Sequence, residues 1–298
     1  MKKIIDYTII SDPGVDDILA LLLLKKLSPA SKNTLISTFG NVPEKYTAEN
    51  AKEFIQNFAP DWNFISGSKS PMKPLKYPWP TYFHGSDGIW NTHSKNFLAS
   101  KEKIKHLEKY PKNSQIISLG PTTDVFKLSQ QIKIKNLTLM GGAFNVSGNE
   151  TAYAETNIAF DPDATSKIFN SLGKTNVKIV PLDVTKKVFW NFEKIEKIPE
   201  FNESYKWVKN ILLAWFENYG LKNDMSFDLH DPLAIYAMFF PDDLVWEKAS
   251  VEIITNGEKR GQTKKIQNKL GNCEIAIGLK KDGTKIADDI FDILFNTQ

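Results

Sequence analysis

Ser11-Asp12-Pro13-Gly14-Val15-Asp16-Asp17, followed by "ILALLLLKKL" to Leu27, decides the reading of this chain. A short apolar run rich in β-formers, Lys3 to Ile10, leads into it. Asp16 to Leu27 reads as a helix whose body is apolar all round. Strand, tight turn and buried helix open a doubly wound α/β fold. The turn holds three carboxylates, Asp12, Asp16 and Asp17, within six residues. Helix N-termini favour negative charge, so capping accounts for one or two of them. Three crowd like charges together, which is costly unless a cation neutralises them. Carboxylate and carbonyl oxygens suit calcium or magnesium, and no Cys/His spacing suits zinc. At this point capping and metal binding are both open. A phosphatase-type aspartate nucleophile is disfavoured, because Pro13 and Gly14 displace the second acidic residue such sites use.

Outward from this turn the pattern recurs. Thr34 to Phe39 reads as a strand ending at Gly40-Asn41, before a helix through Ala48 to Phe58. Gln115 to Leu119 ends at Gly120-Pro121-Thr122-Thr123, Leu137 to Met140 at Gly141-Gly142, and Val177 to Leu182 at Asp183-Val184-Thr185. This predicts a Rossmann-like, mostly parallel sheet with helices on both faces, and ligands just beyond the strand C-termini. Polar residues from distant segments collect at those ends: Asp12, Asn41 and Thr123. No Pro/Gly/Ser linker divides the chain, so residues 1–298 read as one domain. Ser68 to Asn91, rich in Pro, Trp, Tyr and Gly, reads as a long loop of the kind that covers active sites. Its Trp79, Tyr82 and Trp90 either stack on a ligand or pack the loop down.

Two further segments carry polar clusters. His230-Asp231-Pro232 precedes the apolar helix "LAIYAMFF", where Asp231 caps the helix or serves a site. "NETAYAETNIAFD", Asn149 through Asp161, holds Asn149, Glu155 and Asn157, suited to sugar hydroxyls or to turn chemistry.

Composition bounds the partners. The 298 residues are 41% hydrophobic with net charge +3, enough for a core without disulfide staples. Arg260 is the sole arginine, and lysines alternate with apolar residues, as from Lys101 to Lys112. That is a solvated helix face rather than a nucleic-acid surface. Asp6 interrupts the apolar run after Met1-Lys2-Lys3, and no stretch approaches membrane-spanning length. The lone Cys273 fits a reducing compartment, and a cytoplasmic protein without nucleic-acid or membrane partners is expected.

Taken in order, these segments resemble the inosine–uridine-preferring nucleoside hydrolase family nearly end to end. The resemblance rests on the aspartate turn, Gly40-Asn41 with Thr47 and Asn50, and His84-Gly85-Ser86-Asp87-Gly88. It continues through Gly120-Pro121-Thr122-Thr123, the block from Met140 to Pro162, "PLDVT" and His230-Asp231-Pro232. Gly261-Gln262-Thr263 and Asn272-Cys273 also look like family segments. The resemblance implies a calcium ion held by Asp12, Asp16, the Thr123 carbonyl and Asp231, with Asp17 close by. It implies Asn41, Asn149, Glu155 and Asn157 on ribose hydroxyls, and His84, His230 and Phe227 on the base side. It also implies a homodimer or homotetramer. Two positions depart from the family: Ile10, where an aspartate is usual, and Asp124, where asparagine is usual.

Cleaving the bond from C1′ to the base nitrogen builds positive charge on the ribose, as in other glycosidic hydrolyses. Asp12 suits the general base and His230, with an ordinary pKa near 6.5, the acid for the leaving base. The competing expectation is a non-catalytic, calcium-dependent nucleoside- or ribose-binding protein. A dehydrogenase is excluded, since the turn after the first strand lacks Gly-x-Gly-x-x-Gly and repels a pyrophosphate. A nucleotide substrate is disfavoured by the same acidic rim.

Overall fold

The computed structural model describes residues 4–74, 78–95, 97, 107, 109–112, 115–171, 173, 175–266, 271 and 273–296. Most of the run 101–112, read above as a lysine-faced helix, and Asn272 lie outside the described residues.

The first strand, β1 (Thr8–Ser11), is buried along its whole length. Apolar residues on both faces of a strand demand helices above and below it, which a parallel sheet provides. β1 pairs in parallel with β2 (Thr34–Ser37) and β4 (Gln115–Ser118). β3 (Asn63–Ser66), β5 (Asn136–Met140) and β6 (Asn176–Val180) extend it in parallel on either side. β11 (Cys273–Leu279) joins β6 in parallel and β9 (Leu244–Ile253) antiparallel, and β10 (Thr263–Ile266) closes that edge. The order is β10-β9-β11-β6-β5-β4-β1-β2-β3, a nine-stranded sheet among the described residues. Strand order reverses between β1 and β4, and that crevice is where open α/β sheets bind ligands. The doubly wound, mostly parallel sheet expected from the sequence is therefore present.

Helix α1 (Val15–Leu27) has no polar face because it has no solvent face. Its leucines pack against the helices His230–Phe239 and Gly283–Phe295 from the far end of the chain. That packing delivers Asp231, in the first turn of one helix, to the acidic first turn of the other. Helix α2 (Glu44–Phe58) is amphipathic and covers β2 and β3. A two-stranded ribbon, β7 (Phe189–Trp190) with β8 (Phe227–Asp228), leads directly into the helix at His230. No helix of the described residues is long and apolar enough to cross a membrane.

Candidate active site

At the C-terminal ends of β1, β4 and β5 lies a cavity of about 310 Å³. Asp12, Asp16, Asp231, Leu119, Met140, Tyr82, Tyr219, Met225, Lys186 and Asp228 are among the residues that line it. Asn41, His84, Asn149, Glu155, Asn157 and His230 line it as well. Ten of the twelve residues proposed from sequence thus converge here or touch those that do; Thr123 and Phe227 do not line the cavity.

The aspartate turn is tied to β2 by Asn41. Its backbone N–H donates to Asp12 Oδ2 at 2.7 Å, and its Nδ2 donates to the Asp12 carbonyl and to Asp17 Oδ2, each at 2.9 Å. Asp17 also accepts from Ser11 Oγ and from the Gly14 N–H at 3.0 Å. It is therefore both helix cap and cluster member, which joins the two readings left open by sequence. Oxygens of Asp16, Asp17 and Asp231 lie within 4.8 Å of one another. Burial, followed by the charge of Asp17, raises the Asp16 carboxyl to about 8. Burial and then neighbouring carboxylates push Asp12 and Asp231 up as well, and Asp17 and Asp231 stand close enough to share a proton. Without a counter-cation these acids hold protons against their normal tendency. An all-oxygen set of that density fits a hard divalent cation and offers no nitrogen or sulfur to a soft one.

Glu155, Asn157 and Asn149, expected from sequence on the ribose side, are held largely by the backbone. Glu155 caps the helix Thr156–Phe160, and its two oxygens accept N–H groups from Gly142, Asn157 and Ile158 at 2.8–3.1 Å. Asn157 Nδ2 donates to the Leu119 carbonyl at 2.7 Å and the Met140 carbonyl at 3.3 Å, which leaves its Oδ1 for a ligand. Asn149 Oδ1 accepts from Thr156 N and Oγ1, which leaves its Nδ2. Each amide keeps one end uncommitted, a requirement for reading a hydroxyl.

The two histidines are neutral at physiological pH. Burial, then the charge of His230, lowers His84 to about 3, and its buried Nδ1 has no hydrogen-bond partner among the described residues. Burial, then the charge of Lys186, lowers His230 to about 4. His230 Nδ1 lies 2.7 Å from Thr185 Oγ1, and its Nε2 faces Asp228 Oδ2 at 3.7 Å. Burial raises Asp228 to about 6 against the pull of Lys186. Sequence reasoning missed Asp228, which ends β8 just before the helix that starts at His230.

Phe227, Thr123 and the two positions that depart from the family pattern each have a definite local setting. Phe227 is 1% exposed and packs edge-on against Trp215, so the core rather than the cavity wall holds it. The Thr123 hydroxyl donates to Asp161 Oδ2 at 2.5 Å, a bond that leaves its backbone carbonyl uninvolved. Asp124 faces away from the cluster, accepting from Ser68 N at 2.9 Å and Tyr110 Oη at 2.6 Å. Ile10 lies in the hydrophobic cluster with Ile36 and Ile116, on the side away from α1. Of the loop aromatics, Trp79 packs against Phe39 and Phe160, and Trp90 packs on the core; Tyr82 is 60% exposed and borders the cavity.

Comparison with known proteins agrees with this geometry. The model of the inosine-uridine preferring nucleoside hydrolase family matches residues 4–286. A probable uridine nucleosidase 2 of Oryza sativa subsp. japonica is 25% identical, covering 100% of this chain and 94% of its own length. A non-specific ribonucleoside hydrolase, RihC, of Salmonella enteritidis is 28% identical, with 92% of each chain covered. Among solved structures, a plant nucleoside hydrolase, PpNRh1, superposes with a TM-score of 0.83 at 21% identity, over 99% of this chain and 100% of that one. A purine-preferring ribonucleoside hydrolase from Gardnerella vaginalis gives 0.77 at 20% identity, with 97% of each chain covered. The fold, the rim of polar residues and the family match converge: the chain belongs to the inosine-uridine preferring nucleoside hydrolase family and is a nucleoside hydrolase.

Proposed function

We propose that this chain is a calcium-dependent ribonucleoside hydrolase, releasing free base and ribose from neutral nucleosides. The observation that carries the reading is the meeting of Asp12 and Asp16 with Asp231, 219 positions apart from Asp12 in sequence, on one wall of a cavity bordered by Asn149, Glu155 and Asn157.

The carboxylates Asp12, Asp16 and Asp231, with the Thr123 carbonyl and with Asp17 close by, would hold the ion. When bound, the ion anchors a vicinal diol and makes a neighbouring water easier to deprotonate. Asp12 would serve as the general base: its carboxylate lines the cavity and is oriented by the Asn41 N–H. Glu155, Asn157 and Asn149 would take ribose hydroxyls, which orients C1′ between Asp12 and the base. Water oxygen then bonds to C1′, its proton passes to Asp12, and the C1′–N bond breaks with its electron pair leaving on the base nitrogen.

A proton must reach that nitrogen. His230, neutral near pH 7, would keep its own proton on Nδ1, donated to Thr185 Oγ1, and relay to the base a proton taken up at Nε2 from Asp228. Asp228, beside Nε2 and with its pKa raised to about 6, can replenish that proton. His84, Tyr82 and Tyr219 line the same cavity and would face the base.

Calcium as the ion, homodimer or homotetramer assembly, the single domain and a cytoplasmic setting belong to the same proposal. The test is release of ribose from inosine, uridine, cytidine, adenosine and guanosine, with and without a chelator. Turnover that calcium restores after chelation supports it. Nucleoside binding without turnover would replace it with the non-catalytic binding protein.

A further inference from the structure

A second charge cluster lies behind the cavity, between α2 and the coil that follows His84. Glu53, in the body of α2, is fully buried. Its Oε2 is 2.6 Å from His93 Nδ1, and its Oε1 accepts from the Ser94 N–H. The other ring nitrogen of His93, Nε2, faces Asp87 Oδ2 at 3.4 Å. Asp87 also accepts N–H groups from Ile89 at 3.2 Å and Asn91 at 3.0 Å. A carboxylate oxygen therefore faces each ring nitrogen. Only the doubly protonated ring satisfies both, since neutral imidazole would turn a lone pair toward one of them. Hydrogen bonds to Asp87 and then to Glu53 hold the ring's pKa up at about 10, against the opposing effect of burial. The Phe97 ring stacks over the imidazole with centroids 6.3 Å apart.

The coil closed by this ion cluster is unusual in its backbone. Gly85, Gly88, Trp90 and Asn91 all have positive φ, 78°, 92°, 57° and 57°. A bulky tryptophan in the left-handed region persists only where the surroundings over-determine it. Gly88 is wedged against α2 and the aspartate turn: a Cβ there would stand 2.9 Å from Asn50 Nδ2 and 3.2 Å from the Pro13 carbonyl. Asn50 Nδ2 itself bridges the carbonyls of Pro13 and Asp87, both at 2.8 Å. At the head of the coil stands His84, with its unpartnered Nδ1 next to Gly14.

We infer that His93 is a positioning residue for nucleoside hydrolysis: clamped as an imidazolium between Glu53 and Asp87, it locks coil 85–93 onto α2 and so fixes His84 at the cavity wall. The inference rests on the cavity being the nucleoside site. His93 itself does not line the cavity and is bonded to none of the carboxylates of the acidic cluster, so removing the clamp acts through the coil that follows His84. Its effect therefore belongs in binding and orientation of the base, and it must vanish when His84 is already absent.

The experiment is a double-mutant cycle of His93→Gln with His84→Ala, read as KM and kcat for uridine and inosine, alongside imidazole nitrogen NMR of the wild type. His93→Gln is expected to lose about 10- to 100-fold in kcat/KM, mostly through KM, the scale of small misplacements of a site residue. Adding it to His84→Ala should cost less than about twofold more, because positioning acts through that one side chain. Losses that multiply independently, or wild-type kinetics in His93→Gln, would overturn the inference. His93→Lys, which keeps the cation, enters the same cycle if the glutamine variant does not fold, and it should recover part of the activity. NMR separates this from failure of the functional reading. Should the protein hydrolyse no nucleoside, both His93 nitrogens protonated at pH 8, with coil 85–93 losing hydrogen-exchange protection in His93→Gln, still support the clamp. A neutral ring, or unchanged protection, overturns it.

Discussion

Gly40 has no room for a side chain because the Asp12 carboxylate occupies the space: a Cβ there would stand 1.9 Å from Asp12 Oδ2. Gly120 grips the other oxygen in the same way, with a Cβ position 2.3 Å from Oδ1. The proposed general base is thus held between the ends of β2 and β4 by two missing side chains. Gly40→Ala must drive the carboxylate out of this slot, and Gly120 leaves it nowhere nearby to go. We expect kcat/KM for uridine to fall by at least about 100-fold, with far-UV circular dichroism unchanged. Retained activity in a folded Gly40→Ala protein would show that the slot does not set the catalytic geometry.

The acidic cluster predicts an inverted pH dependence of stability in cation-free protein. Asp16 rises from an ordinary 3.8 to about 8, and Asp12, Asp17 and Asp231 shift in the same direction. Between those limits the folded state binds more protons than the unfolded chain, so stability falls as pH rises. The contribution is fully present below 3.8 and lost as pH passes through about 8. Chelated protein should therefore melt at a lower temperature at pH 8 than at pH 6, and added calcium should raise the midpoint more at pH 8. A calcium-induced shift that is equal at both pH values would argue that the ion binds elsewhere.

The sequence made the fold and one half of this site legible for a definite physical reason. Strand ends followed by Gly-Asn, Gly-Pro-Thr-Thr and Gly-Gly mark where a parallel sheet turns. Three carboxylates in six residues at such an end are hard to explain by capping alone. The helix at His230 could be placed beside them only by resemblance, because the packing of α1 against it is a contact between distant segments. The residues proposed to face the base were the least legible. Asp228 and Lys186 carry no motif, and Phe227 looked like a base wall because aromatics serve cores and ligands alike. His93 went unread because its partners, Glu53 and Asp87, meet only through the fold.

The pair His230 and Asp228 predicts a leaving-group dependence. Inosine needs its base protonated, whereas an activated riboside such as 4-nitrophenyl riboside does not. His230→Ala should cost inosine about 10²–10⁴-fold, the range of a positioned general acid, and the activated substrate far less. Asp228 carries its proton below about 6 and loses it above. With inosine, kcat/KM of the wild type should decline as pH rises through that value, and Asp228→Asn should flatten the decline. Identical pH profiles for the wild type and Asp228→Asn would remove Asp228 from the proton path.

Two aromatic residues, Phe227 and Tyr82, should fail in opposite ways. Phe227 is enclosed by the core beside Trp215, so truncation leaves a cavity there and nothing lost to the ligand. Phe227→Ala should cost about 3–5 kcal/mol of stability, with KM nearly unchanged at temperatures where the protein stays folded. Tyr82 is 60% exposed, borders the cavity and lies 6.0 Å from the Tyr219 ring, an arrangement open to a stacked base. Tyr82→Ala should leave the melting midpoint alone and raise KM by roughly tenfold, within the 1–3 kcal/mol of base–aromatic stacking. The two readouts, unfolding midpoint and KM, must separate the variants. If Phe227→Ala raised KM and Tyr82→Ala did not, the base would sit deeper than the cavity described, against the wall that the sequence alone had suggested.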